Sequence, residues 1–367
     1  MSSFILVFLL ILIPVFISTM FIPYWTRRTE SFGISIPEEI YNTKELKALR
    51  NRYAVFTGIL SLMTSFIFLI SSLVLSHEFV MSILFTVSIV LYIIISFLIY
   101  LKFHREMKRM KEKENWSKEK SQQVFIDIRF RNHRLTHSNL WFIISFLIAI
   151  ITFVITIQSY QQIPERIPMQ YNFAGEVTNW ADKSHRTVLI NPILQMYIIM
   201  LFLFINTMIG KAKQQIDPEN PEESMRGNIL FRRRWSAYII ISGLALSLMF
   251  SLIQLSIIYP IHQQFLTAVP LVITFGLIMG AVILSITTGQ GGSRIKSTSS
   301  KSGKIINRDD DKYWKLGQFY YNKQDPALFL EKRFGVGWTI NLARPLAWII
   351  LLGIIGLALL IPFLLGA

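Results

Sequence analysis

Apolar residues run along this chain in eight long stretches, at 4–24, 54–76, 79–101, 139–158, 188–209, 236–258, 265–287 and 345–366. None of them contains Lys, Arg, Asp or Glu. A helix rises about 1.5 Å per residue and a bilayer core is about 30 Å thick, so roughly 20 apolar residues make one crossing. The pattern predicts an all-α membrane protein, a bundle of about eight transmembrane helices. Two connections are very short: Ser76, His77 and Glu78 between the second and third stretches, and residues 259–264 between the sixth and seventh. Those pairs must be antiparallel neighbours. No internal repeat is visible, so the inverted-repeat plan of many transporters is not indicated.

Charge then orients the bundle. Of the 37 Lys and Arg, 34 lie in the alternate connections 25–53, 102–138, 210–235 and 288–344; only Arg166, Lys183 and Arg186 lie elsewhere. Basic connections stay on the cytoplasmic side, which predicts an N-out/C-out protein of the cytoplasmic membrane. Read this way, the net charge of +15 is a topology signal and an attraction for anionic lipid, not a nucleic-acid footprint. A mean hydropathy of +0.46 excludes a soluble domain of this length. Residues 1–25 lack a basic leading region and read as a first span instead of a cleavable signal. With no cysteine, disulfides and thiolate metal sites are excluded. The partners expected from composition are the lipid bilayer, with no nucleic acid and no cofactor.

The connections differ in character. In 34–53, Leu46, Leu49 and Tyr53 share a helical face, which suggests a short helix lying at the interface. In 102–137, Lys108, Arg109, Lys111 and Lys113 prolong the third span, and Trp116 is expected to anchor it at the head groups. Residues 288–310 are rich in Gly, Ser and Lys and read as a flexible linker. Residues 311–344 form an aromatic module of two or three short strands or turns before the last helix, with Trp314, Phe319, Tyr320, Tyr321, Phe329, Phe334 and Trp338 expected at the membrane interface. The resulting organisation is 1–138, a three-span region; 139–287, four spans with an outer loop 159–187; the linker 288–310; the module 311–344; and the last helix, 345–367.

That outer loop, QSYQQIPERIPMQYNFAGEVTNWADKSHR, is the one outer connection long enough for its own structure. Pro164 and Pro168 impose extended or turn geometry, Asn172 to Gly175 marks a turn, and Ala181 to Ser184 can form another. The run resembles the domain of unknown function at the start of SdpI-type immunity proteins, carried by Pro164, Pro168, Asn172, Gly175, Trp180 and Lys183. Gln170 stands where relatives often have His. A second domain of unknown function is resembled near the C-terminus, through Trp314, Gly317, Tyr321, Asn322, Asp325, Pro326, Gly335, Gly337, Trp338 and Asn341. The second membrane domain of SdpI-type proteins is not recognisable here. The resemblance implies a Firmicute-type integral membrane family, some of whose members protect the cell from a secreted antimicrobial peptide.

Catalytic chemistry finds little support. No span carries a carboxylate, Lys, Arg or His near its centre, and Gln195, Asn206 and Gln254 read as hydrogen-bonding glue between helices. No HExxH, GxSxG or P-loop occurs. His77, His185 and His262 fall on the expected outer side, but nothing in their spacing demands a metal. The expectation is a non-enzymatic protein that recognises or resists an extracytoplasmic peptide or envelope signal. The alternatives are a transporter or exporter subunit for an amphipathic substrate, and an assembly partner of another membrane protein.

Overall fold

The computed structural model describes residues 8–74, 78–114, 116, 134–171, 177–215, 221–295 and 310–365. Among these, eight helices follow the eight apolar stretches: α1 (Ile13–Trp25), α2 (Lys44–Val74), α3 (Glu78–Lys113), α4 (Phe142–Gln158), α5 (Ile190–Lys211), α6 (Pro221–Ile258), α7 (Gln263–Thr288) and α8 (Pro345–Leu365). Helices α2 to α7 are long and apolar enough to cross a bilayer; α1 and α8 carry shorter apolar stretches, Leu10–Trp25 and Pro345–Ile361. Large apolar side chains point outward along them, with Leu73 81% and Phe363 78% exposed. An outward apolar belt of this extent is solvated by lipid, not water. The fold is an all-α membrane bundle.

Among the described residues four small antiparallel hairpins decorate it. β1 (Glu30–Ser31) pairs with β2 (Ile34–Ser35), β3 (Arg166–Tyr171) with β4 (Val177–Asp182), β5 (Trp314–Lys315) with β6 (Phe319–Tyr320), and β7 (Phe329–Glu331) with β8 (Trp338–Ile340). The β3–β4 hairpin stands at one end of the bundle. The other three meet at the opposite end, where the basic connections also gather.

Three local expectations change. Residues 44–53 do not form a separate interfacial helix; they are the first turns of α2, and Leu46, Leu49 and Tyr53 are buried against Phe32, Phe103 and Phe334. Trp116 packs on the same aromatic cluster instead of standing free as an anchor. The expected linker starts later than its composition suggests. Gln290 is fully buried: its Nε2 donates to the Lys332 and Gly337 carbonyls at 3.0 and 2.9 Å, and its Oε1 accepts from the Gly337 N–H at 2.7 Å. Residues 296–309 of that linker lie outside the described residues.

Candidate functional site

The β3–β4 hairpin is held by its base. Register pairs Arg166 with Asp182, Ile167 with Ala181 and Pro168 with Trp180. Ile163, Ile167 and Val188 are buried together and pack against Ile257 and Ile258 at the end of α6. Lys183 clips the two sides together: Nζ donates to the Ile163 carbonyl at 2.7 Å, lies 3.6 Å from Glu165 and stands over the Tyr160 ring. His185 stacks on Tyr160 at 4.3 Å, and His262 is exposed. Ser184 caps the helical turn His185–Val188 through a reciprocal box with Thr187, which delivers the chain into α5. Trp180 is 49% exposed. Asn172, Gly175 and His77 lie outside the described residues. Among the described residues no group of three His, Asp or Glu side chains gathers to hold a metal.

From the hairpin, a buried polar seam runs along α4, α5 and α6. The Gln254 Nε2 donates to the Val188 carbonyl at 3.1 Å. Gln195 donates to the Ser247 carbonyl and to the hydroxyls of Ser247 and Ser251 at 2.8–3.0 Å, and Ser251 meets Thr152 at 2.7 Å. Further along, Ser236 donates to Asn206 at 2.6 Å, and Asn206 donates to the His137 carbonyl and to Asn139. Small hydroxyl residues let the backbones approach, and each bond costs less to keep than to leave unmet in hydrocarbon. The seam fixes how α5 and α6 sit against each other.

At the basic end the same two helices receive the C-terminal module. Arg232 of α6 is fully buried and caps α5, donating from Nη1 to the Ile209 and Ala212 carbonyls at 2.7 and 2.9 Å and from Nη2 to the Lys213 carbonyl at 3.2 Å. Glu331 of β7, also fully buried, accepts from Arg232 at 3.2 Å, from Asn228 at 2.7 Å and from Arg27 after α1. Two guanidinium groups from different parts of the chain therefore share one carboxylate. Arg333, two residues on, pairs with Asp310 and Asp311, and Lys111 of α3 reaches Asp311 at 2.7 Å. Glu30 of β1 is buried beside this network with Oε2 unpartnered. Burial raises its carboxyl to about 7, more than Arg27 and Arg333 lower it.

Backbone approach completes the junction. The β1–β2 turn meets the β5–β6 turn at Gly33 and Gly317, where both residues have positive φ and either added Cβ would strike neighbouring atoms. Tyr100 and His104 of α3 hold the two turns, donating to the Phe32 carbonyl at 3.3 and 2.8 Å; Tyr100 also donates to that of Leu316 at 3.0 Å. Two family models match the chain. The domain of unknown function DUF1648 covers residues 147–196, and the family of unknown function DUF5808 covers residues 323–348. No curated protein and no solved structure matches it. The first match spans the hairpin and the α4 and α5 segments that carry it; the second spans β7, β8 and the start of α8.

The module residues singled out from sequence are mostly structural. Asn341 Nδ2 donates to the carbonyls of Asn322, Asp325 and Ala327, and its Oδ1 accepts from the Asn322 and Ala343 N–H groups. Burial alone would raise the Asp325 carboxyl; bonds from Lys213, the Ala327 N–H and Tyr320 hold it below the ordinary carboxylate range. Trp314 lies under Arg333, and Trp338 packs against Phe231 of α6, the rings tilted with centroids 5.0 Å apart. Gly335 and Gly337 turn the β7–β8 hairpin, while Tyr321 and Pro326 face outward. Asn341→Ala is expected to lower stability by about 2 kcal/mol, because buried carbonyls lose their donor. A thermal melt in detergent measures it. The residues that sequence reading passed over are Arg27, Glu30, Arg232, Gln290 and Glu331. Arg232 opens the run Arg232–Arg234, which reads as topology charge; its four-residue spacing from Asn228 is the signal that sets it on a buried helix face.

Proposed function

We propose that this chain is a non-enzymatic protein of the cytoplasmic membrane, similar to SdpI-type proteins, that recognises or confers resistance to an extracytoplasmic peptide or envelope signal. The outer loop 159–187, which carries the hairpin, is the contact surface, and the module 311–344 reports the contact or braces the bundle from the cytoplasmic side. One observation supports this above the others. Helix α6 touches the hairpin base through Ile257 and Ile258 and holds the module through Arg232 and Asn228 at its other end. A displacement of the hairpin is carried along a helix already fixed by hydrogen bonds.

Trp180→Ala tests the reading, since an exposed ring is removable without opening a core. In cells challenged with a panel of secreted antimicrobial peptides, the variant is expected to lose protection against one agent while membrane abundance stays unchanged. Protection equal to wild type, or loss in proportion to abundance, contradicts it. A second reading, an assembly role, draws on the outward Leu316, Phe319 and Tyr321 of the module, each between 42% and 46% exposed. A stoichiometric partner that is lost on Tyr321→Ala would favour it.

A further inference from the structure

Arg50 is a buried cation for which the described residues supply no counter-ion. It lies in the second turn of α2, 2% exposed, with its guanidinium carbon 4.0 Å from the Tyr41 ring centroid and 5.7 Å from that of Tyr24. Nη2 donates to the Tyr41 carbonyl at 2.8 Å. Nε and Nη1 are buried and have no acceptor. The neighbours that act on its charge are the two tyrosines, and among the described residues no carboxylate pairs with it. Elsewhere at this end the buried Arg232 and Arg333 and the partly buried Arg27 all meet carboxylates. One carbonyl and two ring faces offset only part of the hydration that a buried guanidinium loses, and two of its donor nitrogens stay unmet.

Position identifies what would complete it. Arg50 lies four residues before the uncharged apolar stretch that starts at 54, which in a bilayer corresponds to the head-group level. Tyr24, whose ring lies 5.7 Å from the guanidinium carbon, is half-buried, and Lys44 and Lys47 of the same helix end are exposed. Arginine suits phosphoryl oxygens better than lysine because several donors can engage several oxygens at once. We propose that Arg50 holds a phosphoryl oxyanion, supplied by the head group of an anionic phospholipid at the basic end of the bundle. This rests on the membrane-spanning architecture and is independent of the recognition role proposed above.

The test uses the full chain purified in detergent, with dioleoylphosphatidylglycerol, dioleoylglycerol (which lacks the phosphoryl group) and inorganic phosphate as probes. Native mass spectrometry and thermal shift are the readouts. Wild type is expected to retain one phosphatidylglycerol and to ignore dioleoylglycerol. R50Q should bind it about tenfold more weakly, R50K should fall between, and R52Q, at an exposed arginine paired with Glu106, should match wild type. Stabilisation of wild type by inorganic phosphate alone, absent in R50Q, would keep the oxyanion site and overturn the lipid as its source. Wild type that distinguishes neither phosphatidylglycerol from dioleoylglycerol nor phosphate from buffer overturns the proposal, whether or not R50Q folds.

Discussion

Glu331→Ala is expected to destabilise the folded protein by about 3–5 kcal/mol, a large share of the stability of a typical domain. The carboxylate removed is fully buried between Arg27 and Arg232, so two guanidinium groups lose their counter-charge at once. Asn228 loses an acceptor as well. Arg232 cannot leave its place easily, because it also caps three carbonyls at the end of α5. Glu331→Gln keeps an acceptor oxygen and removes only the charge, so its cost should be smaller. Thermal unfolding in detergent should show a lowered midpoint in the order wild type, Gln, Ala. A change below about 1 kcal/mol for Ala, the scale of an exposed ion pair, would mean that the junction is not held by this carboxylate.

Glu30→Gln should act in the opposite direction above neutral pH. The wild-type carboxyl is raised by burial from its ordinary 4.5 to about 7, so the folded protein holds this proton more tightly than the unfolded chain. Its contribution is full below about pH 4.5, declines as pH rises, and is lost above about 7. The loss by pH 8 amounts to roughly 3 kcal/mol at most, an upper bound since water can relax into the site. Glutamine has the same shape and never ionises. The variant should therefore melt higher than wild type at pH 8, with the gap closing towards pH 5. Parallel curves for the two proteins across that range would show that Glu30 does not carry the dependence. The groups that share its electrostatic surroundings are Arg27, Arg333, Glu331 and Asp311, and the difference between the two proteins separates Glu30 from them.

Helix placement was the legible part of this chain. Each uncharged apolar stretch became a helix because a backbone in hydrocarbon must satisfy its own hydrogen bonds, a constraint strong enough to read from composition. Gln195, Asn206 and Gln254 were legible for the same reason, since an amide at depth must find a partner. The extensions were not. α2 begins at Lys44 and α6 at Pro221, well before their apolar stretches, because polar residues such as Asn228 and Arg232 are buried there by the module and not by lipid. Hydropathy counts such residues as loop. One anchor of the C-terminal module was also hard to see: Gln290 lies in a glycine-rich run whose composition suggests a linker, and its partners are Lys332 and Gly337, 42 and 47 residues away. Contacts between segments so far apart leave no local pattern. The β3–β4 pairing was not legible: the prolines allow extended or turn geometry alike, Ala181 and Asp182 read as a turn but lie in β4, and the register that sets Trp180 opposite Pro168 depends on both strands together.

The central claim is that the β3–β4 hairpin and the C-terminal module lie on opposite sides of one membrane, joined by α5 and α6. The chain has no cysteine, so single substitutions can be labelled without background. Asn179→Cys in the hairpin and Tyr321→Cys in the module are both at exposed positions. A membrane-impermeant maleimide applied to intact cells should label the first and reach the second only after permeabilisation. Labelling of both from the same side, or the reverse order, would contradict the account.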